Sequence, residues 1–222
     1  MDIERLISDT VSTDWKDVLL TIVKPFKVNI NTDMKQYDRT IVMPSYNNMF
    51  RCFNYFNVKD TKVIILGQDP YHTLDVADGL CFSTSEERLP PSLINVFKEL
   101  MRTHHVMRKD GNLEDWAKQG VLLMNTSLSV LINKPNSHSK IWKPFTNAIL
   151  EWISDNITCA CIMLWGNDAK KSGSVLCNTE NMILTHTHPS PLSRKPFTGC
   201  NHFIECDRYL EEKGRDKIEW IV

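Results

Sequence analysis

Charge of neither sign dominates this chain: 26 lysines and arginines stand against 27 aspartates and glutamates, a formal net charge of −1. That balance supplies no bulk positive field to drive non-specific binding to nucleic acid. Long apolar runs are missing as well, and nothing approaches the roughly 20 residues that a membrane span needs. The opening residues, MDIERLISDTVSTDW, are acidic and polar where a secretory leader is basic and then apolar. No membrane association is expected. Cys-x-x-Cys pairs are absent too. The seven cysteines (52, 81, 159, 161, 177, 200 and 206) are odd in number and irregularly spaced. Several lie in apolar runs such as TCACIML, where a thiol behaves as a small hydrophobe. These features predict free thiols in an intracellular, reducing compartment, cytoplasm or nucleus depending on source. Cys200, His202 and Cys206, with His186 or His188 nearby, are the one set resembling metal ligands. Their spacing departs from that of zinc sites, and no metal or other cofactor is expected.

What is present is an ordinary globular composition, 42% hydrophobic and 24% charged, in 222 residues. That length suits a single domain spanning 1–222 with a substantial core. Four short apolar runs (61–67, 120–125, 159–166 and 181–188) have the length and composition of buried parallel strands. Between them lie segments of helical period. Pro91-Ser92 opens SLINVFKELMRTHHV with Ser92 placed as N-cap and Leu93, Val96, Phe97 and Leu100 on one face. KPFTNAILEWISDN (143–156) carries a similar stripe, and 167–177 reads as a short helix. Residues 1–60 look mostly helical, and KGRDKIEWIV reads as a tail against the body. The fold class is therefore α/β: a central four-stranded parallel twisted sheet flanked by helices, its α/β core spanning 61–210. No helix shows an oligomerisation stripe, so a monomer is expected.

Ligands of open parallel sheets bind beyond the carboxyl ends of the strands. Here the strands run into Gly-Gln-Asp-Pro-Tyr-His, Asn-Thr-Ser-Leu, Trp-Gly-Asn-Asp and His-Pro-Ser-Pro-Leu-Ser. The topology thus gathers a carboxylate, an amide, a histidine and several hydroxyls at one edge. Asp69, held between Gln68 and Pro70, suits a base, a cation stabiliser or a simple turn cap. Two prolines stiffen the loop displaying Ser190, Leu192 and Ser193. Leu192 there is either a wedge or a leucine folded back on the core. Two acid-free stretches, 133–147 with Lys134, Lys140 and Lys143 and 186–202 with Arg194 and Lys195, gain meaning only if the fold brings them together.

GQDPYH (67–72), GLCFS (79–83), PPSL (90–93), WAKQGVLLMN (116–125), LWG (164–166) and HPSPLS (188–193) resemble, in order, the motifs of family 1 uracil-DNA glycosylase. The resemblance covers roughly residues 40 to 203. It implies excision of uracil from single- or double-stranded DNA, the first step of base excision repair, without a cofactor. Asp69 and His188 would be catalytic, and Gln68, Tyr71, Phe82 and Asn125 would hold uracil. Pro91, Ser92, His138, Ser190, Pro191, Leu192, Ser193, Arg194 and Lys195 would contact DNA, with His72 in support and His186 structural. Replication proteins or a DNA-mimicking inhibitor protein are the implied protein partners. The stretches RKPFTGC, SHSKIW and TLDVAD depart from the family pattern, all in loops assigned to DNA grip or the pocket rim. Two rivals remain: a catalytically weakened DNA-binding or replication-accessory protein on the same fold, and a small-molecule hydrolase. The second lacks a Gly-x-Ser-x-Gly nucleophile elbow.

Overall fold

The computed structural model describes residues 1–221. Three short helices, α1 (Ile3–Thr10), α2 (Trp15–Ile22) and α3 (Lys27–Met34), begin the chain. Each buries apolar residues one turn apart: Ile3 and Ile7, Trp15 and Leu19, Ile30 and Met34. That spacing puts both side chains of each pair on one face. Trp15 packs 5.3 Å from Phe53 and 5.8 Å from Trp152, centroid to centroid. A two-residue strand, β1 (Val42–Met43), and four 3-10 turns complete the expected mostly helical N-terminal part.

The core alternates strands with helices: β2 (Val63–Gly67), α4 (Pro91–His104), α5 (Glu114–Ala117), β3 (Val121–Asn125), β4 (Val130–Leu131), α6 (Ser139–Asn156), β5 (Cys161–Trp165), α7 (Asn167–Ser172), β6 (Met182–His186) and α8 (His202–Glu212). The main sheet has the order β3-β2-β5-β6, every pairing parallel. β1 and β4 form a small antiparallel pair. The α/β architecture with a four-stranded parallel sheet is thus present as the patterning predicts.

Three details differ from expectation. β2, β3 and β5 are buried at every residue, as their continuous apolar runs require, but β6 is an edge strand with Ile183 and Thr185 exposed. Helix α4 starts at Pro91, so Ser92 lies inside the first turn and Pro90 occupies the cap position. Proline's fixed φ suits the first helical position. Helix α6 begins at Ser139 and carries Pro144 within it, four residues before the expected start.

The tail does pack on the body. Ile218 and Trp220 are buried, and Trp116 Nε1 donates to the Trp220 carbonyl at 2.9 Å. Among the described residues no helix is long and apolar enough to cross a membrane, and all seven cysteines are free. From β2 the chain passes outward to β3, then back across β2 to β5. That reversal opens a crevice at the carboxyl ends of β2 and β5, where such sheets bind ligands.

Candidate active site

Gly67 ends β2 directly opposite Asn125, which ends β3. A Cβ at Gly67 would stand 2.1 Å from Asn125 Oδ1 and 2.9 Å from Cys81 Cβ. Only a glycine therefore lets the Asn125 side chain lie across the strand end. The amide of Asn125 makes no protein hydrogen bond among the described residues and lines a cleft of about 300 Å3. Gln68, Asp69, Tyr71, Phe82, Ser92 and His188 line the same cleft. Six sequence candidates besides Asn125 are thus brought together.

Asp69 is held from an unexpected quarter. The loop after β4 crosses the cleft edge, and the Asn136 N–H donates to Asp69 Oδ2 at 2.6 Å. Gln68 Nε2 donates to Asn136 Oδ1 at 2.6 Å, and the Asn133 N–H donates to the His72 carbonyl at 2.8 Å. Asn133 and Asn136 both adopt left-handed backbone, φ 57° and 62°, a conformation asparagine tolerates better than most side chains. Asp69 Oδ1 is buried with no protein partner. Burial pushes the Asp69 carboxyl above its ordinary range. The Asn136 N–H, Lys143 and His72 oppose that shift, and the Asp168 charge adds to it.

His188 stands across the cleft. The Ser190 N–H donates to its Nδ1 at 3.0 Å, so the neutral ring carries its proton on Nε2. Burial lowers its pKa, with the Asp168 charge opposing, and the imidazole is neutral at neutral pH. Gly166, φ +97°, leaves room for it: a Cβ there would sit 2.9 Å from His188 Cβ. Ser193 Oγ donates to the His188 carbonyl at 2.6 Å, and the Ser193 N–H to the Ser190 carbonyl at 3.0 Å. This closed turn drives Leu192 outward, where it is 94% exposed. The leucine does not fold back on the core.

Phe82 sits at φ 65°, left-handed for an aromatic residue, a conformation that costs about 1 kcal/mol or more and persists only where its surroundings enforce it. Tyr71 supplies part of that enforcement by donating its hydroxyl to the Phe82 carbonyl at 2.9 Å. The Phe82 ring lies 5.4 Å from Trp165 and 5.8 Å from His188. Burial drives the Tyr71 pKa upward, so its phenol stays protonated. A second groove of about 760 Å3 continues from the cleft, lined by Leu74, Val76, Leu89, Pro91, Ser190 and Leu192 among others. Pro91 and Pro191 are exposed in this groove, and Arg194 and Lys195 are exposed further along the same loop. The two acid-free stretches do reach a common cleft, through Asn136 on one side and His188 on the other.

His138 is a correction. Its side chain is fully buried, packed 4.6 Å from the Tyr37 ring, with Nδ1 2.9 Å from Ser129 Oγ. Burial pulls its pKa down to about 4. A sealed, uncharged ring has nothing to offer a phosphate. The Cys200, His202 and Cys206 set does not converge either. Cys200 faces Glu99, His202 accepts from Trp165 Nε1 at 2.9 Å, and Cys206 lies in the core. Asn136, Lys143 and Asp168 escaped sequence reasoning as site residues. The Asn-Lys-Pro-Asn turn was the local signal for the first. The acid-free stretch 133–147 held Lys143 and the strand end Trp-Gly-Asn-Asp held Asp168, but neither marked its residue out as acting on Asp69.

A family model described as the uracil DNA glycosylase superfamily matches residues 53–211. The uracil-DNA glycosylase of Francisella tularensis subsp. novicida (strain U112) is 45% identical over 185 residues, covering 81% of this chain and 84% of that protein. The crystal structure of mimivirus uracil-DNA glycosylase superposes with a TM-score of 0.88 at 22% identity, covering 97% of this chain and 89% of the other. A variant of the mimivirus protein in complex with UGI gives 0.89 at the same identity, covering 97% of this chain and 90% of that one. At that identity the structural match speaks for the fold, and the sequence matches speak for the kinship. A glycine-cleared amide, a buried carboxylate, a neutral imidazole and an outthrust leucine around one cleft agree with both: the chain belongs to the uracil DNA glycosylase superfamily.

Proposed function

We propose that the protein is a family 1 uracil-DNA glycosylase that rotates uracil out of DNA and hydrolyses its N-glycosidic bond. The observation that carries this reading is the single cleft lined at once by Asp69, Asn125, Phe82 and His188. Chemistry on a stacked base requires the nucleotide to leave the helix. Leu192, exposed on a braced turn, fills the space left behind. Pro91, Ser92, Ser190, Pro191 and Ser193, with Arg194 and Lys195, border the phosphates of the bent strand.

In the cleft Phe82 stacks on the extruded base. The Asn125 amide accepts from uracil N3–H and donates to O4, while cytosine presents the reverse pattern. Tyr71, locked onto the Phe82 carbonyl, takes the volume that a thymine methyl needs. The bond between C1′ and N1 breaks with both electrons passing to uracil, and negative charge gathers on O2. His188 Nε2–H donates to O2, and Gln68 helps hold it. A neutral donor in a dry site stabilises developing charge without reorganising. Asp69, ionised, faces the oxocarbenium-like sugar. A water then adds to C1′ and passes its proton to Asp69 Oδ1, the oxygen without a protein partner. No second carboxylate is required, because uracil leaves as a tolerable anion. The groove beside Leu192 also suits a DNA-mimicking inhibitor protein competing for the same surface.

The test is excision from a uracil-containing oligonucleotide in EDTA, with a thymine oligonucleotide as control. Release of uracil, not thymine, that drops at least about 10³-fold in Asp69→Asn supports the assignment. A well-folded wild-type protein that binds the oligonucleotide but releases nothing would make it a DNA-binding protein on this fold.

A further inference from the structure

Glu99 is a fully buried carboxylate on α4 that the excision chemistry does not use. Its Oε2 accepts from the Gly199 N–H at 2.6 Å and its Oε1 from the Asn201 N–H at 2.8 Å. Arg102 Nε and Nη2 close the other side at 3.0 and 2.8 Å, and Arg102 Nη2 also reaches Asn201 Oδ1. Gly199 and Asn201 adopt left-handed backbone, φ 95° and 60°, which turns both N–H groups toward one carboxylate. Burial alone would raise the Glu99 pKa, but the bonds from Arg102, Gly199 and Asn201 outweigh it and hold the group ionised. One turn earlier on the same helix, Asn95 Nδ2 donates to the Pro189 carbonyl at 2.8 Å.

Pro189 and Gly199 are the two feet of the loop carrying Leu192, and side chains four apart share a helix face. Between the feet, Pro191, Leu192, Arg194, Lys195 and Pro196 are exposed, and only Phe197 is buried, its ring 4.9 Å from Trp165. An arch with so little packing of its own is placed by its attachments. We propose that Asn95 and Glu99 are positioning residues that clamp both feet of the Leu192 loop to one face of α4. The loop is thereby ordered on folding, and its ordering cost does not fall on DNA binding. The clamp rests on the reading of Leu192 as a wedge. It acts on duplex opening more than on bond cleavage, because the bonds that orient His188, from the Ser190 N–H and Ser193 Oγ, lie within the 188–193 turn and do not pass through Asn95 or Glu99.

The experiment compares single-turnover excision from duplex and single-stranded uracil oligonucleotides for wild type, Glu99→Gln, Asn95→Ala, Leu192→Ala and Glu99→Gln/Leu192→Ala. Thermal melts confirm folding at the assay temperature. Glu99→Gln keeps the shape but sets an amide NH2 against one of two backbone N–H groups. The expected result is a loss of about tenfold on duplex and under about twofold on single strands. With Leu192 already removed, Glu99→Gln should cause no further duplex loss, whereas a general stabilising role would multiply the two effects. Equal loss on both substrates, or multiplicative effects, overturns the clamp while leaving Leu192 as wedge. If Leu192→Ala itself loses equally on both substrates, the wedge fails and the clamp falls with it. Should Glu99→Gln not fold, Asn95→Ala and its Leu192→Ala double decide by the same criteria.

Discussion

Asn125 and Asn136 show how the same side-chain type can be functional or structural depending on what its neighbours leave free. Asn136 spends its N–H and its Oδ1 on Asp69 and Gln68, whereas the Asn125 amide faces the cleft uncommitted. Asn125→Asp should therefore release cytosine above the wild-type background while uracil excision falls about 10²-fold or more. A folded variant that leaves cytosine untouched removes the edge-reading role. Asp69 must be ionised to act, so activity falls as pH drops through its raised pKa. Lys143 holds that pKa down and Asp168 pushes it up. Lys143→Met should move the acid limb of the rate profile to higher pH, and Asp168→Asn should move it lower. Limbs that stay put would mean that another group titrates in that range.

At the scale of elements, the strand ends do the positioning. Gly67 and Asn125 are level across the β2–β3 ladder, so adding one methyl at Gly67 meets the reading amide and Cys81. Gly67→Ala should cost about 1–3 kcal/mol in urea unfolding, with uracil excision reduced more than duplex binding. Unchanged excision would show that Asn125 does not need its present placement. The strands themselves were legible because β2, β3 and β5 are buried on both faces and so written in continuous apolar residues. β6, half exposed at the sheet edge, has a mixed pattern that its apolar run concealed. Ser92 looked like a cap by residue type, but Pro91 suits the first helical position and drew the cap and the helix start two residues earlier. Pro144 hid the first turn of α6 because proline usually marks a boundary.

For the whole molecule, two buried histidines govern acid stability. His138 and His202, both nearly inaccessible, are each drawn down to about 4 by burial. Between pH 6.5 and about 4 the unfolded chain binds protons that the folded one refuses, so stability falls as pH falls. Each contributes about 1.4 kcal/mol per pH unit in that window. Asp69 and Asp207, raised by burial, work in the opposite direction nearer the carboxylate range. The urea midpoint should consequently drop between pH 7 and 5, and His138→Asn should flatten the slope if the variant folds. A midpoint independent of pH would mean that these rings open to solvent before the chain unfolds.

The sequence alone determined the α/β order, the motif-bearing strand ends and the chemical types available there, since these depend on local pattern and residue identity. Tertiary structure decided which of those groups meet. Asp69 with Asn136 and Glu99 with Gly199 and Asn201 are contacts across 67 and about 100 positions of chain, and the Asp168 charge acts on both Asp69 and His188 from 20 or more positions away. It also withdrew His138 into the core and thrust Leu192 into solvent. The reason is physical: residue type sets what a side chain can do, while the packing of distant segments sets its burial, partners and charge state.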